Sequence, residues 1–146
     1  ERKKRMNRTL SPCFCINLRR ANGVLSDFYD KALANAKLTT SQFSLMKTLH
    51  RVQPCTVTAL SKEMGLERTT LVRTLKPLLQ HNLICDLSAE KSRNNLLSLT
   101  EEGYMLMNYA TLLWEDAQAA VRAYMGEEQM EILMSLLAKL EEFTGD

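Results

Sequence analysis

The chain has 146 residues, 45% hydrophobic and 25% charged, with 5 Gly, 3 Pro and 4 Cys, enough for one globular domain with a buried core. This composition excludes a disordered chain, a collagen-like repeat and a disulfide-dense scaffold. The net charge of +2 is unevenly spread: residues 1–36 carry 8 Lys/Arg against 3 Asp/Glu, residues 37–98 carry 9 against 4, and residues 99–146 carry 2 against 10, so the front and middle suit a polyanion that the end would repel.

Residues 1–8 form a basic arm to which no structure is assigned and which is expected to be flexible. It has the charge of a signal n-region, but Asn17, Arg19 and Arg20 interrupt the apolar stretch beyond it, so no export signal is read. The chain begins without Met, and Met6 is one candidate start. No apolar run approaches the roughly 18–20 residues needed to cross a bilayer, and a cytoplasmic location without membrane contact is expected.

Phe14, Leu18, Ala21, Leu25, Phe28 and Ala32 make an apolar stripe at helical spacing, predicting a helix within residues 9–36. Thr39 and Gln42 form a capping box that opens a second helix carrying Phe43, Leu45, Met46 and Leu49, and Gln53-Pro54 closes it. Val57, Leu60 and Met64 fit a short third helix. Gly65 is placed for a left-handed helix end, with Leu66 as the apolar plug of a tight turn.

The next helix, residues 69–80, puts Leu71, Val72, Leu75, Leu78 and Leu79 on its buried face. Thr69, Thr70, Arg73, Thr74 and Lys76 occupy the other face, which has no acid, and Pro77 is expected to kink or loosen the last turn. The period then changes to two. Residues 83–87 and 95–99 read as a β-hairpin, with Lys91, Ser92, Arg93 and Asn94 at its tip.

Thr100 starts a long helix with the stripe Met107, Ala110, Trp114, Ala117, Val121 and Tyr124, which Gly126 breaks. A last helix carries the seam Met130, Leu133, Leu137 and Leu140, widened by Met134 and Leu136. No repeat, low-complexity tract or interdomain linker is found.

Helix, short helix, Gly turn, helix and basic hairpin are the parts of a winged helix-turn-helix. The expected fold is mainly α with a small β-hairpin. The winged helix spans 37–100, between an N-terminal dimerisation helix (9–36) and C-terminal linker and dimerisation helices (101–146). The recognition helix needs one buried face and one that offers donors to bases and phosphates, and residues 69–80 meet both needs. Candidate DNA-binding residues are Ser61, Arg68, Thr69, Thr70, Arg73, Thr74, Lys76, Lys91, Ser92, Arg93 and Asn94, with the hairpin reaching a minor groove. Phe14, Leu18, Leu25, Met130, Leu133, Leu137 and Leu140 have more apolar surface than the head needs to cover, and are candidates for a two-fold interface.

Residues 38–103 resemble the MarR family of transcription regulators. The resemblance is carried by Leu38-Thr-Thr-Ser-Gln-Phe-Ser-Leu-Met, by residues 58–73 from Thr58 to Arg73, by Asn82-Leu-Ile and by Leu97-Ser-Leu-Thr-Glu-Glu-Gly. Cys15-Ile-Asn-Leu-Arg-Arg-Ala extends it over nearly the whole chain. It implies a homodimer on a pseudo-palindromic DNA operator, most simply a repressor, with no cofactor. Arg68, Thr69, Thr70 and Arg73 then match the recognition-helix positions and Arg93 the wing-tip arginine. Lys91 stands where the family has an acid that braces this arginine, so either the wing is looser or Glu90 takes over the bracing. Asn82 stands where the family has Gly.

The resemblance also implies a small phenolic or anionic effector in the crevice between dimer helices and head, with Arg20, Tyr29, Phe43, Met46, His50 and Trp114 as candidate lining. Cys13 and Cys15 are either inert thiols, buried or idle, or redox sensors, which would make the chain a thiol-based regulator of the same fold. Two alternatives come from other classes. Catalysis lacks support, because His50 and His81 stand apart and no phosphate loop, metal spacing or nucleophile elbow is found. A winged helix used only for protein contacts would tolerate Arg73→Ala.

Overall fold

The structure is a computed structural model that describes residues 8–88 and 95–145. Its elements run α1 (Phe14–Ala32), a 3-10 turn (Ala34–Ala36), α2 (Thr40–Val52), α3 (Val57–Met64), α4 (Arg68–Gln80), β1 (Ile84–Asp86), β2 (Leu97–Leu99), α5 (Glu101–Met125) and α6 (Glu127–Glu141). The mainly helical winged-helix class expected from the sequence is the one observed.

Local chemistry sets the boundaries. Thr39 and Gln42 form the reciprocal capping box of α2. Thr56 caps α3 through the Ala59 N–H, and Gly65 ends α3 in the left-handed region at φ 64°. Asn82 takes the same region at φ 56°, at the small cost a β-carbon imposes there. The strands are shorter than expected and antiparallel, pairing Ile84 with Leu99 and Asp86 with Leu97. Pro77 leaves α4 continuous to Gln80, and the His81 N–H bonds the Pro77 carbonyl at 3.0 Å.

One pairing has no counterpart in the sequence pattern. Cys55 bridges Leu97 through N–H···O bonds of 3.1 and 2.7 Å in the two directions. Gln53 Oε1 accepts from the Leu99 N–H at 2.8 Å. Together they bind the end of α2 to β2, so the wing grows out of a three-part ribbon.

The core gathers Leu45, Met46, Leu49, Leu60, Leu71, Leu78, Ile84 and Leu97 from the head, Met107 from the first half of α5 and Leu33 from the turn after α1. Neither α1 nor α6 contributes a buried residue. Phe14 is 85% exposed, and Leu18, Leu25, Phe28, Leu137 and Leu140 also lie open. Burying such a side chain fully is worth roughly 1.5–3 kcal/mol, and these side chains lie open to solvent in the single chain. α1 is held to the rest where the Tyr29 hydroxyl donates to Gln118 Oε1 on α5, and where Asp30 Oδ1 accepts from the Thr40 N–H and hydroxyl, each at 2.7 Å. Burial raises the Tyr29 pKa, partly offset by the positive charge of Arg122.

Three expected positions are corrected. Val72 is 44% exposed instead of buried, and Leu66 is half-open instead of plugging the turn. Tyr124, at the distal end of α5, is 88% exposed because the helix outruns the core there. Cys13 and Cys15, at the start of α1, are exposed thiols, which removes the buried alternative and leaves the idle and the redox-sensing ones.

Candidate nucleic-acid interface

Recognition starts from how α4 is mounted. Leu71, Leu75 and Leu78 sink into the core, as do Val57 and Leu60 of α3. The backbone that links the two helices folds back sharply at Gly65, where the Leu66 N–H bonds the Ser61 carbonyl at 3.0 Å. Arg68 Nη1 donates to Thr58 Oγ1 at 3.1 Å, a second tie between α3 and α4. On the outside of α3, Glu63 pairs with Arg51 of α2 at 2.7 Å.

This mounting leaves Arg68, Thr69, Thr70, Arg73 and Lys76 exposed. At 100° per residue, Thr69, Val72, Arg73 and Lys76 fall within one arc of about 100°, and Thr70 lies about 60° beyond it. No acid lies on α4 and none of its own side chains caps its N-terminus, so the first-turn N–H groups keep their affinity for an anion.

Two expected contributors behave otherwise. Ser61 is only 7% exposed, and its hydroxyl donates to the Val57 carbonyl at 2.9 Å; it belongs to the interior of the head and cannot reach a duplex. Thr74 is half-buried, with its hydroxyl donating to the Thr70 carbonyl at 3.2 Å, which leaves chiefly its methyl to offer. Val72 was missed. Its i+1 position beside Leu71 reads as core, yet it stands among the outward donors, where an apolar group can meet a thymine methyl.

Lys91, Ser92, Arg93 and Asn94, with Glu90, lie outside the described residues. The root of the wing is described. Asp86 Oδ1 accepts from the Ser88 N–H at 2.9 Å, the Ser88 hydroxyl at 2.6 Å and the Leu96 N–H at 3.0 Å. The Ser88 hydroxyl and these two backbone N–H groups hold the Asp86 carboxyl below its usual range. No sequence signal singled Asp86 out, because its partners lie two and ten residues away.

The residues expected to line an effector site differ in depth: Phe43 and Met46 are buried, Tyr29 and Trp114 half-buried, and Arg20 and His50 exposed. Phe43 and Met46 are buried core, Phe43 packing against Trp114 with ring centroids 6.1 Å apart. This corrects their assignment to a crevice surface. His50 is exposed, its ring 5.2 Å from that of Tyr104, and Arg20 is exposed on α1 with Nη1 3.5 Å from the Thr9 carbonyl. A cleft of about 410 Å³ instead lies between Asn82, Thr100, Glu101, Glu102 and Met105. Burial raises the thiol pKa of Cys55. Among the described residues no three His, Cys, Asp or Glu side chains group to hold a metal ion, and no helix is long and apolar enough to cross a membrane.

Comparison with known proteins agrees with this geometry. The MarR family profile matches residues 38–86. A helix-turn-helix-type transcriptional regulator of Staphylococcus aureus is 27% identical over 104 residues, covering 69% of this chain and 71% of its own length. The transcriptional regulator MosR of Mycobacterium tuberculosis, solved in complex with DNA, is 30% identical over 90% of this chain and 99% of its own, with a TM-score of 0.72. BpsR of Bordetella bronchiseptica, whose DNA binding is regulated by 6-hydroxynicotinic acid, shares the fold at a TM-score of 0.82 and 20% identity, covering 93% of this chain and 98% of its own. The chain belongs to the MarR family of transcriptional regulators, which are DNA-binding proteins and not enzymes.

Proposed function

We propose that two copies of the chain form a homodimeric repressor on a pseudo-palindromic operator, each copy laying α4 in a major groove and its wing along the neighbouring minor groove. The observation that carries this reading is the exposed, acid-free arc of α4 above a leucine-anchored base. In this reading Arg73 bonds a base edge or phosphate, Val72 meets a thymine methyl, and Thr69 and Thr70 with the first-turn N–H groups hold a phosphate. Lys91, Ser92, Arg93 and Asn94 serve the wing contact. The MosR complex with DNA supports this use of the fold.

The bare faces of α1 and α6 support pairing. Phe14, Leu18 and Leu25 with Met130, Leu133, Leu137 and Leu140 would close against a second copy. Two heads held at fixed spacing would then engage half-sites about one helical turn apart. Release by a small phenolic or anionic ligand follows if the ligand favours a head spacing that does not fit the operator. The fold shared with BpsR supports that part, and Arg20, Tyr29, His50 and Trp114 are the remaining candidates for its contacts.

The test is duplex binding by the wild type and by Arg73→Ala across a salt series. The reading expects a loss of roughly 1–3 kcal/mol for the variant and a steep salt slope for the wild type. Equal binding by both proteins, insensitive to salt, would instead favour a winged helix made for protein contacts.

A further inference from the structure

α1 joins the rest of the chain by its C-terminal end. None of its own residues is buried, and the chain enters the core only at Leu33 and Ala36, just beyond it. Within the helix, adjacent residues reach two different partners. The Tyr29 hydroxyl donates to Gln118 Oε1 of α5, and Asp30 Oδ1 accepts both the N–H and the hydroxyl of Thr40, each at 2.7 Å. Thr40 is the first residue of α2, a helix with no acid of its own in its first turn. Asp30 therefore brings a carboxylate from another helix to an N–H that α2 leaves free, at the end where the helix dipole favours negative charge. α2 is in turn fixed to the recognition helix: Leu45, Met46 and Leu49 share one core with Leu71, Leu75 and Leu78 of α4, and Arg51 pairs with Glu63 of α3. The joint at Asp30 thus stands between a helix with a bare apolar face and the head that carries α4.

We propose that Asp30 is the positioning residue of this joint: its grip on the first turn of α2 fixes the angle at which α1 leaves the head, and so the spacing of the two α4 helices in a pair of chains. The inference rests on the homodimer reading above. Tyr29 anchors the same end of α1 to α5; a helix held on one side pivots, and Asp30 supplies the second hold. Leverage makes the angle matter. Phe14 lies about 24 Å from Asp30 along the helix, so a tilt of about 8° moves it by about 3.4 Å, the rise of one base pair. One base pair also turns a half-site by about 34° around the duplex axis. A small change at the joint is therefore enough to put one head out of step with its half-site.

The experiment uses the full chain, a duplex selected for wild-type binding, and the same duplex with one base pair inserted between its half-sites. The readout is the ratio of the two affinities. A loss of folded protein leaves that ratio unchanged, because it scales both affinities alike. The wild type should discriminate against the lengthened duplex. Asp30→Ala should narrow the ratio about fivefold, the worth of a charged N-terminal contact at each of two joints. Thr40→Val, which removes the hydroxyl donor, and Asp30→Asn, whose amide oxygen still accepts, should fall between the two. If Asp30→Ala fails to fold, Thr40→Val carries the comparison.

A wild type that reads the spacing, beside Asp30→Ala and Thr40→Val variants with the same ratio, overturns the joint alone. A wild type that binds both duplexes equally overturns the homodimer reading and the joint's role with it.

Discussion

Gly103 sits in the first turn of α5, where that helix meets the backbone between α4 and β1. A β-carbon placed there would stand 1.9 Å from the Leu83 carbonyl oxygen, 2.9 Å from its carbon and 3.2 Å from its Cα. All three are backbone atoms, so no rotamer change relieves the clash. The Leu83 oxygen must retreat by more than about 1 Å to reach ordinary contact. That oxygen also accepts the Thr100 N–H at 3.1 Å, and the Asn82 carbonyl accepts the Thr100 hydroxyl at 2.6 Å, so the retreat strains both bonds. Overpacking costs about 1–3 kcal/mol, and two weakened hydrogen bonds cost about 1 kcal/mol each. Against this, Ala gains about 1 kcal/mol over Gly inside a helix. Gly103→Ala should therefore destabilise the protein by about 2–4 kcal/mol, lowering Tm by roughly 4–16 °C. Gly23→Ala is the control. Gly23 has nothing within 4 Å of its would-be β-carbon, so that variant should gain up to about 1 kcal/mol. Urea and thermal unfolding of both variants measure this, and an unchanged or raised Tm for Gly103→Ala would refute the packing argument.

Val72→Ala should lose preference for thymine at one operator position; replacing that thymine with uracil should weaken the wild type and leave the variant unaffected, while equal responses would remove Val72 from the interface. Leu137→Glu, on the bare face of α6, should convert a sedimenting dimer to a single chain and weaken binding to a duplex with two half-sites; an unchanged mass would place pairing elsewhere. Asp86 has a folded pKa below its unfolded value of about 3.9, so its contribution is present above that value and lost as pH falls through the lower, folded one. Its carboxyl carbon should titrate below the ordinary aspartate midpoint, and a midpoint at or above it would contradict the hydrogen bonds at the wing root.

The elements that pack were the ones legible in the sequence. Phe43, Leu45, Met46 and Leu49 repeat at helical spacing because they face one core, and all four are buried. The Thr39–Gln42 box, Gly65 and Thr100 announced helix ends through chemistry that acts within a few residues. What escaped depends on distant partners. Cys55 pairs with Leu97, and Gln53 reaches Leu99, across more than 40 residues. Val72 and Ser61 exchanged their expected roles because periodicity fixes a helix's phase only to within about one residue's width. Ser61 turned toward the core, while Val72 rolled out among the donors. The stripe on α1 was legible as apolar, but α5 and α2, which touch that helix, leave Phe14, Leu18, Leu25 and Phe28 open.

Selection of bound sequences from random duplex DNA, followed by measurement of half-site spacing, tests most directly whether two α4 helices grip one operator. The account predicts two inverted half-sites centred about 10 base pairs apart, with base preferences confined to the positions that α4 and the wing reach. Enrichment of a single unrepeated site, or no enrichment at all, would contradict it.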